Sequence, residues 1–242
     1  MRGVIQGEML RSVSGPSVLA VYLVAVLMPL FVLFSDGSRF DLEGVSAGVA
    51  TARLLEPLAW SVISAAFVSA YAVTREYYYA SMARTLTAVG FRRAFGGKLV
   101  AGVAVAVILS LCVFVLWTAG VFVFLAQDGV APTLTDQAWR IYAGAMVGVV
   151  LGALIGGAVG WITQNYYATA IIVLVFPMAL EFALLRTAPE VAKFSPGLAI
   201  AAIGVPGYQG RLLELAPAVV IGLAWTLGLL AVAWIRGRRS AA

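Results

Sequence analysis

Long runs without a charged residue dominate the chain, and their lengths predict its elements. The first, Ser17 to Phe34, holds 18 residues after a polar start containing Arg2, Glu8 and Arg11. It resembles a signal peptide in position, yet it exceeds the 7–15 residues of an h-region and leads into Ser35-Asp36-Gly37 without an A-x-A site. An uncleaved first span over 17–34 is therefore expected. Val4 to Val13 mixes apolar and charged positions without a clean helical face, a poor pattern for an interfacial helix. A second span is expected over 57–74, with Pro57 in its first turn. Leu99 to Ala126 gives 28 charge-free residues, about 42 Å of helix at 1.5 Å per residue, so a third span over 99–126 must tilt or protrude. Ile141 to Leu180 has 40, enough for two crossings of about 20 residues each. The polar cluster Thr163-Gln164-Asn165-Tyr166-Tyr167 divides it into spans over 141–162 and 168–185. A last span over 215–235 runs into the basic tail Arg236, Arg238 and Arg239.

Two connections have a pattern of their own. Between Arg75 and Lys98 lie Arg75, Arg84, Arg92, Arg93 and Lys98 against one acid, Glu76. On a helical wheel Tyr78, Tyr79, Met82, Leu86 and Val89 fall on one side and Arg84 and Thr87 opposite, so an amphipathic helix at the membrane surface is expected over 75–93. Phe194 to Gly210 is charge-free but broken by Pro196, Gly197, Gly204, Pro206 and Gly207. It is expected to be re-entrant or interfacial rather than a crossing.

Composition turns this pattern into a class. Of 242 residues 62% are hydrophobic and 11% charged, with a mean hydropathy of +1.00, whereas soluble domains carry about 25% charged residues. The expected fold is an all-α membrane protein of six transmembrane helices. The net charge of +5 and pI near 9.6 then report topology rather than nucleic-acid binding. Six spans put both termini on one side with the connections at 75–98 and 163–167. That side holds ten basic residues against Glu8 and Glu76, and the other holds six basic residues and nine acids. The positive-inside rule places both termini in the cytoplasm.

Missing residue types narrow the chemistry. With no histidine and one cysteine, the chain has no His-based metal site, no Ser/His/Asp or Cys/His relay and no internal disulfide. Cys112, between Leu111 and Val113, is expected to be a small buried hydrophobe. Gly144, Gly148, Gly152, Gly156 and Gly160 recur at every fourth position, a stripe that lets helix backbones approach closely, within one subunit or at a dimer seam or sliding surface. Gly90 to Lys98 (GFRRAFGGK) superficially resembles a phosphate-binding loop, but Arg92 stands where the first glycine belongs and Leu99 where Ser or Thr should follow. Glu181 is the one acid placed within a span, where an ionisable group is costly. It is a candidate for a substrate pathway, or else sits solvated at the outer interface near Arg186. Gln164 and Asn165 are expected to form a loop. Trp139, Trp161 and Trp234 lie near predicted span ends, as interfacial belts require.

Taken together, these residues resemble the ABC-2 type permeases, the transmembrane half of bacterial ABC exporters (type V). Arg75-Glu76-Tyr77-Tyr78-Tyr79-Ala80-Ser81, then Arg84-Thr85-Leu86, Gly90, Arg92-Arg93 and Gly97-Lys98, resemble that family's segment after span two, with Ala80-Ser81 where Gly-Thr is usual. Phe194-Ser195-Pro196 is similar to the start of its outer re-entrant segment, and Pro29 to a common proline of span one. The resemblance implies a coupling helix that docks a separate ATPase through Arg75, Glu76, Tyr79, Arg84, Thr85, Leu86, Arg92 and Arg93. It also implies two ATPase copies holding ATP and Mg, and a second permease copy or a related permease. No cofactor is expected in this chain, and the partners are protein and membrane lipid, not nucleic acid. The expected function is export of a hydrophobic or amphiphilic substrate (a drug, peptide antibiotic or lipid-like molecule) across the bacterial cell membrane, without enzymatic activity of its own. A structural or assembly protein of the same bundle is the rival reading. An intramembrane enzyme is disfavoured by the missing histidine and the lack of paired acids at membrane depth.

Overall fold

A chain in a bilayer must close its backbone hydrogen bonds within each segment, because hydrocarbon offers no partners. The computed structural model of this protein, which describes residues 2–12, 14, 17–35 and 44–240, is helical throughout, with no strand among the described residues. The elements are α1 (Arg2–Ser12), α2 (Ser17–Ser35), α3 (Ala47–Leu55), α4 (Ser61–Tyr78), α5 (Met82–Val89), α6 (Phe91–Gln127), α7 (Asp136–Thr163), α8 (Tyr166–Thr187), α9 (Pro196–Gly204) and α10 (Leu215–Ser240). Five helical segments are long and apolar enough to cross a membrane: 47–78, 91–127, 136–163, 166–187 and 215–239. The chain is thus an all-α membrane protein. The apolar helix α2, 19 residues with Pro29 inside it, lies against α4 and α6.

Several boundaries differ from those the sequence predicts. The second span does not open at Pro57. Helix α3 begins at Ala47 and passes through a 3-10 stretch, Glu56–Trp60, into α4. The proline sits at the start of that tighter stretch, where its missing N–H breaks no bond of the α-helix. At the far end of this segment α4 runs to Tyr78, so Arg75 and Glu76 belong to a membrane-length helix rather than to a surface helix over 75–93. Only 82–89 forms the separate helix α5; Arg92 and Arg93 open α6. Helix α6 has 37 residues, about 55 Å by its rise, and so exceeds the hydrocarbon core by more than its apolar stretch alone requires. Helix α1 is well formed despite its mixed pattern, because it is held by α6 and α4.

Burial inverts the soluble order. The least apolar of the five segments, 47–78, is the most deeply packed, with Ser61, Ser64, Ser69 and Thr74 all buried. Segments 166–187 and 215–239 turn most of their apolar side chains outward. Lipid provides no hydrophobic drive between helices, so small and hydroxyl residues that let backbones approach are buried beside large core side chains such as Trp60, Leu58 and Ile200. The glycine stripe of α7 carries this approach inside the chain. Gly144 abuts the backbone of Ile203 and Gly204 in α9, Gly152 the Val62 carbonyl (2.5 Å from a built Cβ), and Gly156 the Ala66 carbonyl of α4. Cys112 does not lie in the core: it is exposed on the outer surface of α6. Nor is Trp161 a belt residue, since it is wholly buried among Phe91, Phe95 and Tyr77.

Both described ends of the chain meet at one end of the bundle. Phe91 packs on Trp234 of α10 with ring centroids 5.0 Å apart, and Tyr78 packs on Tyr166 at 5.9 Å. Helix α1 docks beside them. This is called the basic end; α9 lies at the other, packed on α7 and on the 3-10 stretch before α4. At the basic end the α7–α8 corner turns on Gln164, with φ of 53°, while the Asn165 side-chain oxygen accepts from the Ala168 N–H at 3.0 Å. Both residues form the corner, as expected of them.

Candidate functional site

The predicted coupling segment assembles around a buried charge network that draws on three helices. Glu8 and Arg11 stand one turn apart on α1, Glu76 on the last turns of α4, and Lys98 two turns into α6. The Lys98 ammonium is fully buried and reaches two carboxylates, Glu8 Oε2 and Glu76 Oε1, each at 2.8 Å. Arg11 Nη1 donates to the same Glu76 oxygen at 2.8 Å and lies 3.5 Å from Glu8 Oε1. Lys98 and the two carboxylates are thus paired away from water, where a lone charge is expensive, and Arg11 closes the network from its exposed side. Glu76 Oε2 is buried without a hydrogen-bond partner, so this carboxylate is held through one oxygen. Arg75 points the other way: its Nη1 donates to the carbonyl oxygens of Arg11 (2.8 Å) and Ser14 (2.7 Å), tying the chain after α1 to α4.

Outside the network a cavity of about 470 Å³ opens between α1, α4 and α5, lined by Arg11, Arg75, Tyr79, Ser81, Arg84 and Thr85 among others. Helix α5 is set at this angle by its two ends. Ala80 adopts φ of 52°, which a residue with a Cβ rarely takes, and Gly90 joins α5 to α6 at φ of 77°. Between these corners Met82 and Leu86 pack inward against the aromatic group around Trp161, while Ser81, Arg84, Thr85 and Ala88 face the cavity. Of the positions the wheel assigned within 82–89, Met82 and Leu86 pack inward and Arg84 faces the cavity, as it placed them. It erred for Tyr78 and Tyr79, which are exposed because they finish α4 instead of continuing α5.

The eight predicted coupling residues therefore divide. Arg75, Glu76, Tyr79, Arg84 and Thr85 share the cavity; Leu86 is turned into the core; Arg92 and Arg93 are exposed on the first turn of α6. Sequence reasoning missed Glu8, Arg11 and Lys98 as members of one cluster. A signal was present: Glu8 and Glu76 are the two acids among the segments that the six-span reading puts on its basic side, and both enter the network.

Glu181 lies at the other end of the bundle. It is buried rather than solvated, and its Oε1 accepts from the Gly197 N–H at 3.1 Å in the first turn of α9. A carboxylate there complements the positive end of the helix dipole and substitutes for Ser195, which stands at the cap position but makes no side-chain capping bond. A Cβ at Gly197 would displace the carboxylate from this position. Glu181 ends a π-helical stretch, Ile171–Glu181, that contains Pro177. An apolar cavity of about 280 Å³ lies beside it, between this stretch, Val62, Ile155, Ile200 and Trp225. Nearby, the Phe182 ring meets Phe31 at 6.1 Å and Trp60 at 6.2 Å, joining α8, α2 and the 3-10 stretch before α4.

Neither a family model nor a curated protein matches the chain.

Proposed function

We propose that the chain is the permease subunit of an ATP-driven exporter of the ABC-2 type, moving a hydrophobic or amphiphilic substrate out of the cytoplasm while a separate ATPase hydrolyses ATP. In this reading α2 is the sixth crossing, both termini are cytoplasmic, α9 is the outer re-entrant segment, and α5 is the coupling helix in the bacterial cell membrane. The observation that carries it is the corner at the basic end. A short helix packed by Met82 and Leu86 presents Arg84, and the next helix opens with exposed Arg92 and Arg93. Cations in the first turn of a helix oppose its dipole, at a cost of about 0.3–1 kcal/mol each. Exposed and unfavourable for α6 itself, they suit an acidic partner surface.

The sequence holds no phosphate-binding loop, which supports placing ATP and Mg on that partner, in two copies against a pair of permeases. Motion of α5 would pass directly to α4 and α6 through Ala80 and Gly90, and to α1 through the Lys98 network. The aromatic meeting of Phe31, Trp60 and Phe182 supports a pathway between the first, second and fifth spans, with Glu181 beside it as a holder of α9 rather than a substrate ligand.

The test is co-purification with the candidate ATPase. Combined Arg84→Glu, Arg92→Glu and Arg93→Glu replacement is expected to abolish association and substrate-stimulated ATP hydrolysis while the permease still folds. Full association and full stimulation in that variant would overturn the assignment of α5 and its flanking arginines as the coupling surface, and failure of the unaltered chain to associate with the ATPase would return it to a structural role.

A further inference from the structure

The cavity at the basic end carries a charge that its own walls do not use. Four cations, Lys98, Arg11, Arg75 and Arg84, stand around two carboxylates, Glu8 and Glu76. Lys98 and Arg11 are each paired with the two acids. Arg75 spends its Nη1 bonds on two backbone carbonyls, which neutralise no charge. Arg84 makes no ion pair or hydrogen bond among the described residues. The surplus is two positive charges facing a concave space of about 470 Å³, with Ser81 and Thr85 on the same wall.

Depth identifies what such a space meets. Span 47–78 ends one residue before the cavity's Tyr79, and the exposed rings of Tyr78, Tyr79 and Tyr167 cluster beside it. Tyrosines gathered at a helix end mark the level of lipid headgroups. The Arg75 guanidinium lies 5.9 Å from the ring centres of Tyr71 and Tyr79, held between the apolar bundle and the surface. Planar guanidinium groups pair well with phosphate oxygens, and hydroxyls add further donors.

We propose that this cavity is a binding site for a phosphate-bearing anion, with Arg75 and Arg84 as its charged ligands and Arg11, Ser81 and Thr85 on its rim, and that its depth makes the headgroup of an acidic phospholipid the source. Glu76 marks the inner wall, where pairing with Lys98 and Arg11 prevents it from repelling the anion. The site depends neither on transport nor on an ATPase, so its test is separate from that of the exporter reading.

The purified full chain in a zwitterionic detergent is titrated with short-chain phosphatidylglycerol, with matched phosphatidylcholine and with inorganic phosphate, and binding is followed by thermal shift. Phosphatidylglycerol is expected to stabilise the chain and phosphatidylcholine not to. Arg84→Gln, which removes no internal bond, is expected to weaken that binding about fivefold and Arg75→Gln with Arg84→Gln by about twenty-five-fold, at roughly 1 kcal/mol per cation near the surface. Arg140→Gln, on α7 away from the cavity, should leave it unchanged. A shift reproduced by inorganic phosphate alone, and lost in the same variants, would keep the anion site and make its source soluble. Equal binding of the two lipids, or phosphatidylglycerol binding untouched by the double replacement, would overturn the proposal.

Discussion

Ala80 holds a left-handed backbone that costs an ordinary L-residue about 1–2 kcal/mol, part of which glycine gives back as lost chain freedom. Ala80→Gly is therefore expected to raise stability by about 1 kcal/mol, seen as a rise of a few degrees in thermal unfolding; a fall would mean that the corner is not strained. This is also the position at which Ala-Ser departs from the Gly-Thr of the family proposed for the chain, so the departure falls where backbone geometry makes glycine the easier residue. Lys98 is the opposite case, a residue whose removal leaves two buried acids to share one exposed cation, Arg11. Lys98→Met should destabilise the chain by about 3–5 kcal/mol, whereas Lys98→Met with Glu8→Gln and Glu76→Gln should recover most of the loss. A triple variant no better than the single one would show that packing, and not charge, sets the cost.

At the scale of elements the glycine stripe is the clearest case of sequence legibility. Its four-residue spacing announced close approach, but not which partner was approached, because α9 and α4 are separated from α7 by connections whose geometry leaves no local pattern. Gly156→Leu is expected to prevent stable folding, since its side chain would enter the α4 backbone, while Gly228→Leu on α10, where nothing lies within 4 Å, should be tolerated. The five membrane-length apolar helices were legible for the same reason the bundle forms, since lipid-facing surface must be continuous. Their ends were not, because charges such as Glu76 and Lys98 continue a helix when partners on other elements neutralise them. Glu181 illustrates the limit. Its burial was not legible because the N–H it binds is 16 residues away, on a segment marked in sequence only by breakers. Glu181→Ala should release that contact, with faster amide exchange over 196–204 and about 1–3 kcal/mol lost there. Unchanged exchange would leave α9 held by packing alone.

For the whole molecule, the charge count and the contacts agree on one geometric point: the described ends of the chain, the α5 corner and the α7–α8 corner share one end of the bundle. In a Cys112→Ala background, Thr87→Cys is expected to be labelled only from the cytoplasm and Ala131→Cys only from outside. Both labelled from one side would break the six-span reading.

The length of α6 has a mechanical corollary. A straight rod of about 55 Å turning by about 10° around its midpoint displaces each tip by about 5 Å, without any bond in its own ladder being stretched. Arg92 and Arg93 ride on one tip and Gln127 on the other. A small swing of this lever, started by pressure on the outlying arginines, would thus arrive across the bilayer as a shift of atomic size, with the Lys98 network moving α1 along with it.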